Sequence, residues 1–158
     1  MIFPSLEDCI KSFSNHPDMY SYYENILDMK IEENDLDYEH DRDKALSLSY
    51  DTFKETYDWL KEDILSNDSI YRVINHDINI DEIQKTSEVG LHWTNSYQTA
   101  KYIAEDKLFY DNPIIIEGKI DPSCVDFEYS FMLRNAYPDE WELYLEDCPI
   151  SIKKITKL

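Results

Sequence analysis

A strand-like stretch late in the chain reads Tyr137-Pro138-Asp139-Glu140-Trp141-Glu142-Leu143-Tyr144-Leu145. From Glu140 onward polar and apolar residues alternate, with Trp141 on the apolar face, which is the period of a strand that buries one side. Pro138-Asp139 is a turn signal just before it. We therefore expect Glu140 and Glu142 where a loop enters a strand, sharing one face of a sheet. Taken alone, this pair also fits an ordinary solvated strand face.

The first part of the chain, residues 1–67, predicts helices. Ser5 followed three residues later by Asp8 resembles a capping box at the start of the first helix, and a second helix is expected near Asp18. A third helix is the clearest element, because apolar residues recur at spacings of four and three and form one stripe. These residues are Leu46, Tyr50, Phe53, Tyr57, Leu60 and Ile64.

After Asp68 the pattern changes to strands. The predicted strands are 70–74, 89–94, 113–120 and 150–155, with a polar loop over 76–85. Thr94-Asn95-Ser96 offers cap groups for a helix that carries Ala100. Residues 125–127 predict a further short strand, and 128–139 an irregular connection. The order of elements therefore predicts an α+β fold, with a helical segment over 1–67 and a second part over 68–158.

Composition limits the class of protein. The chain has 158 residues, 42% of them hydrophobic, so it can bury a core. It has no apolar run of the roughly 20 residues that a membrane span needs, and its start lacks the basic and apolar regions of a signal peptide. The three cysteines, Cys9, Cys124 and Cys148, show no metal-binding spacing and predict free thiols in a reducing compartment. The expected location is the cytoplasm.

The formal net charge of −19 is the unusual feature of the composition. Such a chain repels phosphate backbones, which argues against direct binding to nucleic acid. It would attract a basic protein, including a nucleic-acid-binding protein whose ligand it imitates. High charge also serves solubility alone. Of the 34 acidic residues, 18 lie in residues 1–68, so the charge is concentrated in the helical part.

Three pieces follow one another along the chain: a strand with Arg72, a strand with His92-Trp93-Thr94 that leads into a helix, and the Glu140-Trp141-Glu142 segment. Their order and spacing over about residues 69–158 resemble the mono-ADP-ribosyltransferases of the arginine–serine–glutamate class. The resemblance implies a split β-sandwich around an NAD cleft, with the helical segment packed on it. It also implies transfer of ADP-ribose from NAD to a protein side chain, without a metal.

The resemblance assigns three residues to NAD binding. Arg72 would pair with the dinucleotide phosphates, which suits a guanidinium fork. Thr94 would hold the catalytic glutamate and help to seat the nicotinamide ribose. His92 stands where the family has serine, so it either donates to ribose or marks a degenerate site, and a structural histidine is the other interpretation. Trp93 is expected in the core.

The resemblance makes Glu142 and Glu140 the catalytic pair. Glu142 would bind the 2′-hydroxyl of the nicotinamide ribose and stabilise the positive charge that develops there. Glu140 would orient or deprotonate an acceptor guanidinium, a weak nucleophile while protonated. Tyr137 would contact the target, and Phe131 or Tyr129 would cover the nicotinamide.

The expected function is mono-ADP-ribosylation of arginine on a basic protein, by an intracellular effector, toxin or phage-encoded modifier that acts in the cytoplasm of its own or a host cell. Two alternatives stay open. One is an acidic inhibitor that imitates nucleic acid and has an inactive transferase-like core. The other is an antitoxin-like or structural partner whose helical half docks another protein.

Overall fold

The computed structural model describes residues 2–75, 92–108, 111–146 and 150–158. Helices α1 (Leu6–Asn15), α2 (Tyr20–Glu33) and α3 (Arg42–Ser66) come first. They are followed by β1 (Ser69–Asn75), β2 (His92–Thr94), α4 (Tyr97–Tyr102), which continues as one π-helical turn (Ile103–Lys107), and β3 (Pro113–Lys119). Helix α5 (Phe127–Ala136), β4 (Glu142–Tyr144) and β5 (Ser151–Lys157) complete the described elements. The α+β class is therefore confirmed.

The predicted helical segment is present, and α1 begins where its cap predicts: the Ser5 hydroxyl accepts a hydrogen bond from the Asp8 amide at 3.1 Å. In α3 the predicted stripe is rotated slightly. Phe53 and Leu60 are buried, but Tyr50 is 40% exposed. Ala45 and Ser49 are buried in its place, because smaller side chains let α3 approach its neighbours closely.

Within the described residues, the strands form a five-stranded antiparallel sheet in the order β4-β2-β1-β3-β5. A bulge interrupts the pairing of β3 with β5 between Glu117 and Gly118. A side chain at Gly118 would meet the Ile150 methyl group at 2.5 Å, so only glycine lets the two strands meet here.

The main core lies between the sheet and α1, α2, α3 and α5. Phe13, Phe53 and Phe131 form a triangle of buried rings, with centroids 6.1 to 6.2 Å apart. Because these rings come from α1, α3 and α5, the helical segment and the second part of the chain share one hydrophobic core. Helix α4 packs on β1, and its buried alanines, Ala100 and Ala104, allow a close approach.

The prediction for residues 125–139 is wrong. Val125 makes only an isolated bridge with Leu145, and α5 follows in place of the expected strand and irregular connection. Asp126 caps this helix by accepting from the Tyr129 amide at 3.0 Å. Six of its ten residues are buried. A helix buried on most sides has no clear apolar stripe, which explains why the sequence pattern missed it.

The expectation of three free thiols is also wrong. Cys124 is disulfide-bonded, and Cys148 lies outside the described residues. The cysteines therefore no longer argue for a reducing compartment. Cys9 is free and buried. Separately, no helix in the described ranges has the length and apolar character needed to cross a membrane. The predicted loop over 76–85 and the predicted strand residues 89–91 fall outside those ranges.

Cys9 leads to a prediction about alkaline stability. Burial, followed by the nearby Glu128 carboxylate, raises the pKa of the Cys9 thiol from 9.0 to about 12. The unfolded chain releases this proton near the ordinary pKa, so the thiol's contribution to stability is complete below about pH 9 and is lost as the pH rises toward 12. We expect urea unfolding to show a steeper alkaline loss in the wild type than in Cys9→Ala. Equal pH slopes for the two proteins would contradict this.

Candidate functional site

A cleft of about 250 Å³ opens beside β1, β2, β4 and the helical turn after α4. The five residues assigned to NAD binding and catalysis line it, namely Arg72, His92, Thr94, Glu140 and Glu142. Apolar side chains, including Val73, Ile103 and Leu108, supply further parts of the wall. The cleft therefore combines two carboxylates, a guanidinium and an imidazole with an apolar surface.

The sheet register explains how distant residues meet. Tyr71 lies opposite Thr94, and Thr94 lies opposite Glu142, so the three form one row across β1, β2 and β4. Directly opposite residues of antiparallel strands point to the same face. Tyr71 belongs to this row but was not singled out from the sequence. The pKa of Tyr71 is raised by burial and by the nearby Glu117 carboxylate, which accepts a hydrogen bond from the Tyr71 hydroxyl at 3.2 Å.

The Glu142 carboxylate hydrogen-bonds to His92, whereas the Thr94 hydroxyl bonds to backbone groups. The Nδ1 atom of His92 is within hydrogen-bonding distance of Oε1 of Glu142. The Glu142 side chain is 14% exposed and that of His92 is 50% exposed, so Glu142 is mostly buried in the cleft wall while His92 reaches solvent. The His92 ring stands edge-on to Tyr144, with centroids 5.0 Å apart. Histidine at this position is therefore a direct partner of the candidate catalytic carboxylate.

Thr94 is buried and supports the turn before β4. Its hydroxyl donates to the Trp141 carbonyl at 3.4 Å, and the same oxygen accepts from the Ser96 amide at 3.4 Å. Of the three residues predicted to offer cap groups, Ser96 caps α4 by accepting a hydrogen bond from the Thr99 amide. Thr94 thus joins the start of α4 to the segment that carries both glutamates.

A hydrogen bond to the backbone of strand β2 fixes the Arg72 side chain at the cleft. Its Nη1 donates to the carbonyl oxygen of His92 at 2.7 Å. This bond holds a positive charge next to the His92–Glu142 pair. The guanidinium therefore places a positive charge at a cleft that also holds the Glu140 and Glu142 carboxylates.

The predicted strand starts two residues later than expected. Pro138–Glu140 is a turn of 3-10 helix, and Trp141 has φ 50°, in the left-handed region that few non-glycine residues adopt. Trp141 is therefore 36% exposed instead of facing the core with Leu143. The carboxylates of Glu140 and Glu142 reach the same cleft because of this turn, and not because of the strand period.

The Glu140 carboxylate is paired with a cationic side chain of the protein itself. Its Oε1 forms an ion pair with the ammonium group of Lys107, which follows α4. The Lys107 nitrogen also lies 5.9 Å from the centre of the Tyr137 ring, and the Tyr137 hydroxyl bonds to that of Tyr22 in α2. Glu140 and Tyr137 therefore already form a place that accepts a positively charged side chain.

Arg134 bonds to the backbone of the segment that carries the two glutamates. The sequence analysis missed this residue, because its segment was interpreted as irregular. It is 5% exposed. Its Nε donates to the Glu142 carbonyl at 3.0 Å and its Nη2 to the Trp141 carbonyl at 3.2 Å, while Nη1 pairs with Asp63 of α3. Burial lowers the pKa of the Arg134 guanidinium, and the Asp63 carboxylate opposes that shift. The sequence signal that could have identified Arg134 is a single arginine directly after the apolar run Phe131–Leu133.

Neither Phe131 nor Tyr129, one of which was expected to cover the nicotinamide, is among the residues that line the cleft. Phe131 is fully buried in the helical core. Tyr129 packs edge-on against Tyr144, with centroids 4.8 Å apart, and contacts His16 on its other side. Trp93 is 2% exposed, as predicted for a core residue. In the described part of the chain, no group of three or more histidine, cysteine or acidic side chains is arranged to hold a metal ion.

Comparison with known proteins returned no match, whether to family models, to curated proteins or to solved structures.

Proposed function

We propose that this protein transfers ADP-ribose from NAD to an arginine of a basic target protein and releases nicotinamide. The main support is that Arg72, His92, Thr94, Glu140 and Glu142, selected from three separate parts of the sequence, line one cleft. The split β-sandwich of the transferase class is part of the same proposal, and the antiparallel sheet with flanking helices is compatible with it.

The cleft suits the nicotinamide end of the dinucleotide. Its volume of about 250 Å³ is near the lower end of ligand pockets, so we assign it to nicotinamide and the adjoining ribose. Arg72, next to it, would bind the phosphates, because a guanidinium makes strong charged hydrogen bonds to phosphate oxygens. NAD is a substrate in this proposal, and no metal takes part.

The reaction breaks the bond between C1 of the ribose and the nicotinamide nitrogen, and nicotinamide leaves with the electron pair. Positive charge develops on the ribose, and the Glu142 carboxylate stabilises it more in the transition state than in the ground state. A guanidine nitrogen of the acceptor then bonds to C1 and releases a proton to Glu140. The existing ion pair of Glu140 with Lys107 supports the choice of a cationic acceptor.

The test is labelling of proteins in a cell lysate with biotinylated NAD and the full-length protein. We expect target labelling and nicotinamide release with the wild type and neither with Glu142→Ala. Mass spectrometry of the labelled target would then locate ADP-ribose on arginine. Unchanged labelling by Glu142→Ala would refute the proposal.

The net charge of −19 supports a second candidate, an acidic inhibitor that binds a basic nucleic-acid enzyme without using NAD. For this candidate the lysate would yield a bound partner in place of a labelled target. Its binding would be strong at low salt, would be lost at moderate salt, and would not depend on NAD or on Glu142.

A further inference from the structure

Two of the three tryptophans of the chain contact one another at the protein surface. Trp59 of α3 and Trp141, in the turn before β4, have ring centroids 5.3 Å apart and planes inclined by 31°. They are 47% and 36% exposed, whereas the third, Trp93, is 2% exposed. Contiguous exposed apolar surface can mark an interaction site, and tryptophan is enriched among the residues that dominate interfaces.

The buried structure holds this pair in place. Trp141 keeps its left-handed backbone because its carbonyl accepts hydrogen bonds from Arg134 at 3.2 Å and from Thr94 at 3.4 Å. Arg134 is in turn paired with Asp63, one helical turn after Trp59 in α3. The pair therefore presents a surface that is already organised before a partner binds, which limits the entropic cost of binding.

Acidic side chains flank the two rings. Glu55 and Glu62 are exposed and stand four residues before and three residues after Trp59, on the same side of α3. Glu140, the neighbour of Trp141 in sequence, lines the cleft. Aromatic faces next to carboxylates favour a planar cation, since a guanidinium stacks on tryptophan while its N–H groups bond to the carboxylates.

We infer that Trp59 and Trp141, with Glu55, Glu62 and Glu140, form the docking surface for an arginine-bearing segment of the target protein. This inference rests on the proposed function, because it places the target beside the cleft in which ADP-ribose would be transferred. It also gives the helical segment a role in choosing the target, since Trp59 and two of the three acidic residues belong to α3.

The probe is a fluorescent synthetic peptide of alternating glycine and arginine, titrated against the full chain at about 0.15 M salt, where long-range attraction is screened. Trp59→Ala should raise the dissociation constant about tenfold, because it removes the stacking partner of a desolvated guanidinium. Tyr38→Ala is the matched control, since Tyr38 is also exposed, at 53%, and its hydroxyl bonds to an acidic residue, Glu32. We expect this control to stay within about twofold of the wild type, as is usual for a contact outside the binding centre.

If Trp59→Ala fails to fold, the double variant Glu55→Gln/Glu62→Gln tests the same surface, and we expect it to weaken binding several-fold. A peptide with lysine in place of arginine should bind less tightly, because ammonium lacks the planar stacking surface. Equal binding by the wild type and Trp59→Ala, or equal losses in Trp59→Ala and Tyr38→Ala, would overturn the inference.

The two proposals can fail separately. Peptide binding is measured without NAD, so it does not require turnover. Trp59-dependent binding without any NAD turnover would retain the docking surface and remove the transferase. NAD turnover together with peptide binding that does not depend on Trp59 would retain the transferase and remove the docking surface.

Discussion

Glu142→Gln is expected to lower the rate of nicotinamide release from NAD about 10²- to 10³-fold, the usual loss when one fixed group that stabilises transition-state charge is removed. Glutamine keeps the size of the side chain and its contact with His92, but it removes the negative charge that faces the ribose. Binding of NAD in the ground state depends less on that charge. We therefore expect the loss in kcat, with little change in KM.

The measurement is nicotinamide release by purified protein under saturating NAD, with thermal unfolding as a check of the fold. Glu146→Gln is the matched control: it removes the same charge from an exposed residue four positions on, outside the cleft lining. It should leave the rate unchanged. Equal rates in Glu142→Gln and the wild type would remove the enzymatic proposal, and equal losses in both variants would indicate an effect of net charge alone.

Arg134→Met is expected to lower the free energy of unfolding by about 3 kcal/mol or more, as is typical when one partner of a buried ion pair is removed. The change leaves Asp63 without its partner, in a site where its side chain is 13% exposed. It also removes the donors to the Trp141 and Glu142 carbonyls, and unsatisfied buried polar groups are costly.

Urea unfolding followed by circular dichroism would measure this loss. Lys54→Met is the matched control, since it breaks a surface pair with Asp58 whose side chains are 57% and 56% exposed, and such pairs contribute at most about 1 kcal/mol. The double variant Arg134→Met/Asp63→Leu should recover part of the stability, because no charge is then left unpaired. A loss below 1 kcal/mol for Arg134→Met, similar to that of the control, would show that the buried pair contributes little.

The residues of the candidate site were selected through the resemblance to the transferases, which did not predict the contacts between them. Thr94 was placed on a predicted strand, and the register of β2 with β4 was needed to bring it opposite Glu142. The partner of Glu142 was expected to be Thr94 and is His92. Sequence spacing indicates which residues share an element, whereas contacts across strands depend on register.

The helical segment shows the same division. Apolar periodicity predicted α3 because one of its faces is buried and the other is solvated. The same criterion failed for α5, whose residues are buried on most sides and show no contrast between faces. Arg134 was missed together with α5, although this residue joins α3 to the turn that carries Glu140 and Trp141.

The sequence by itself determined the change from helices to strands near residue 68 and the acidity of the helical part. These properties follow from local periodicity and from side-chain chemistry, which each segment carries on its own. Only the tertiary structure decided that Trp141 turns outward, that Glu140 and Glu142 reach one cleft, and that α3 supports the site. The reason is that a buried arginine bonds to two backbone carbonyls, and such a contact depends on which distant elements pack together.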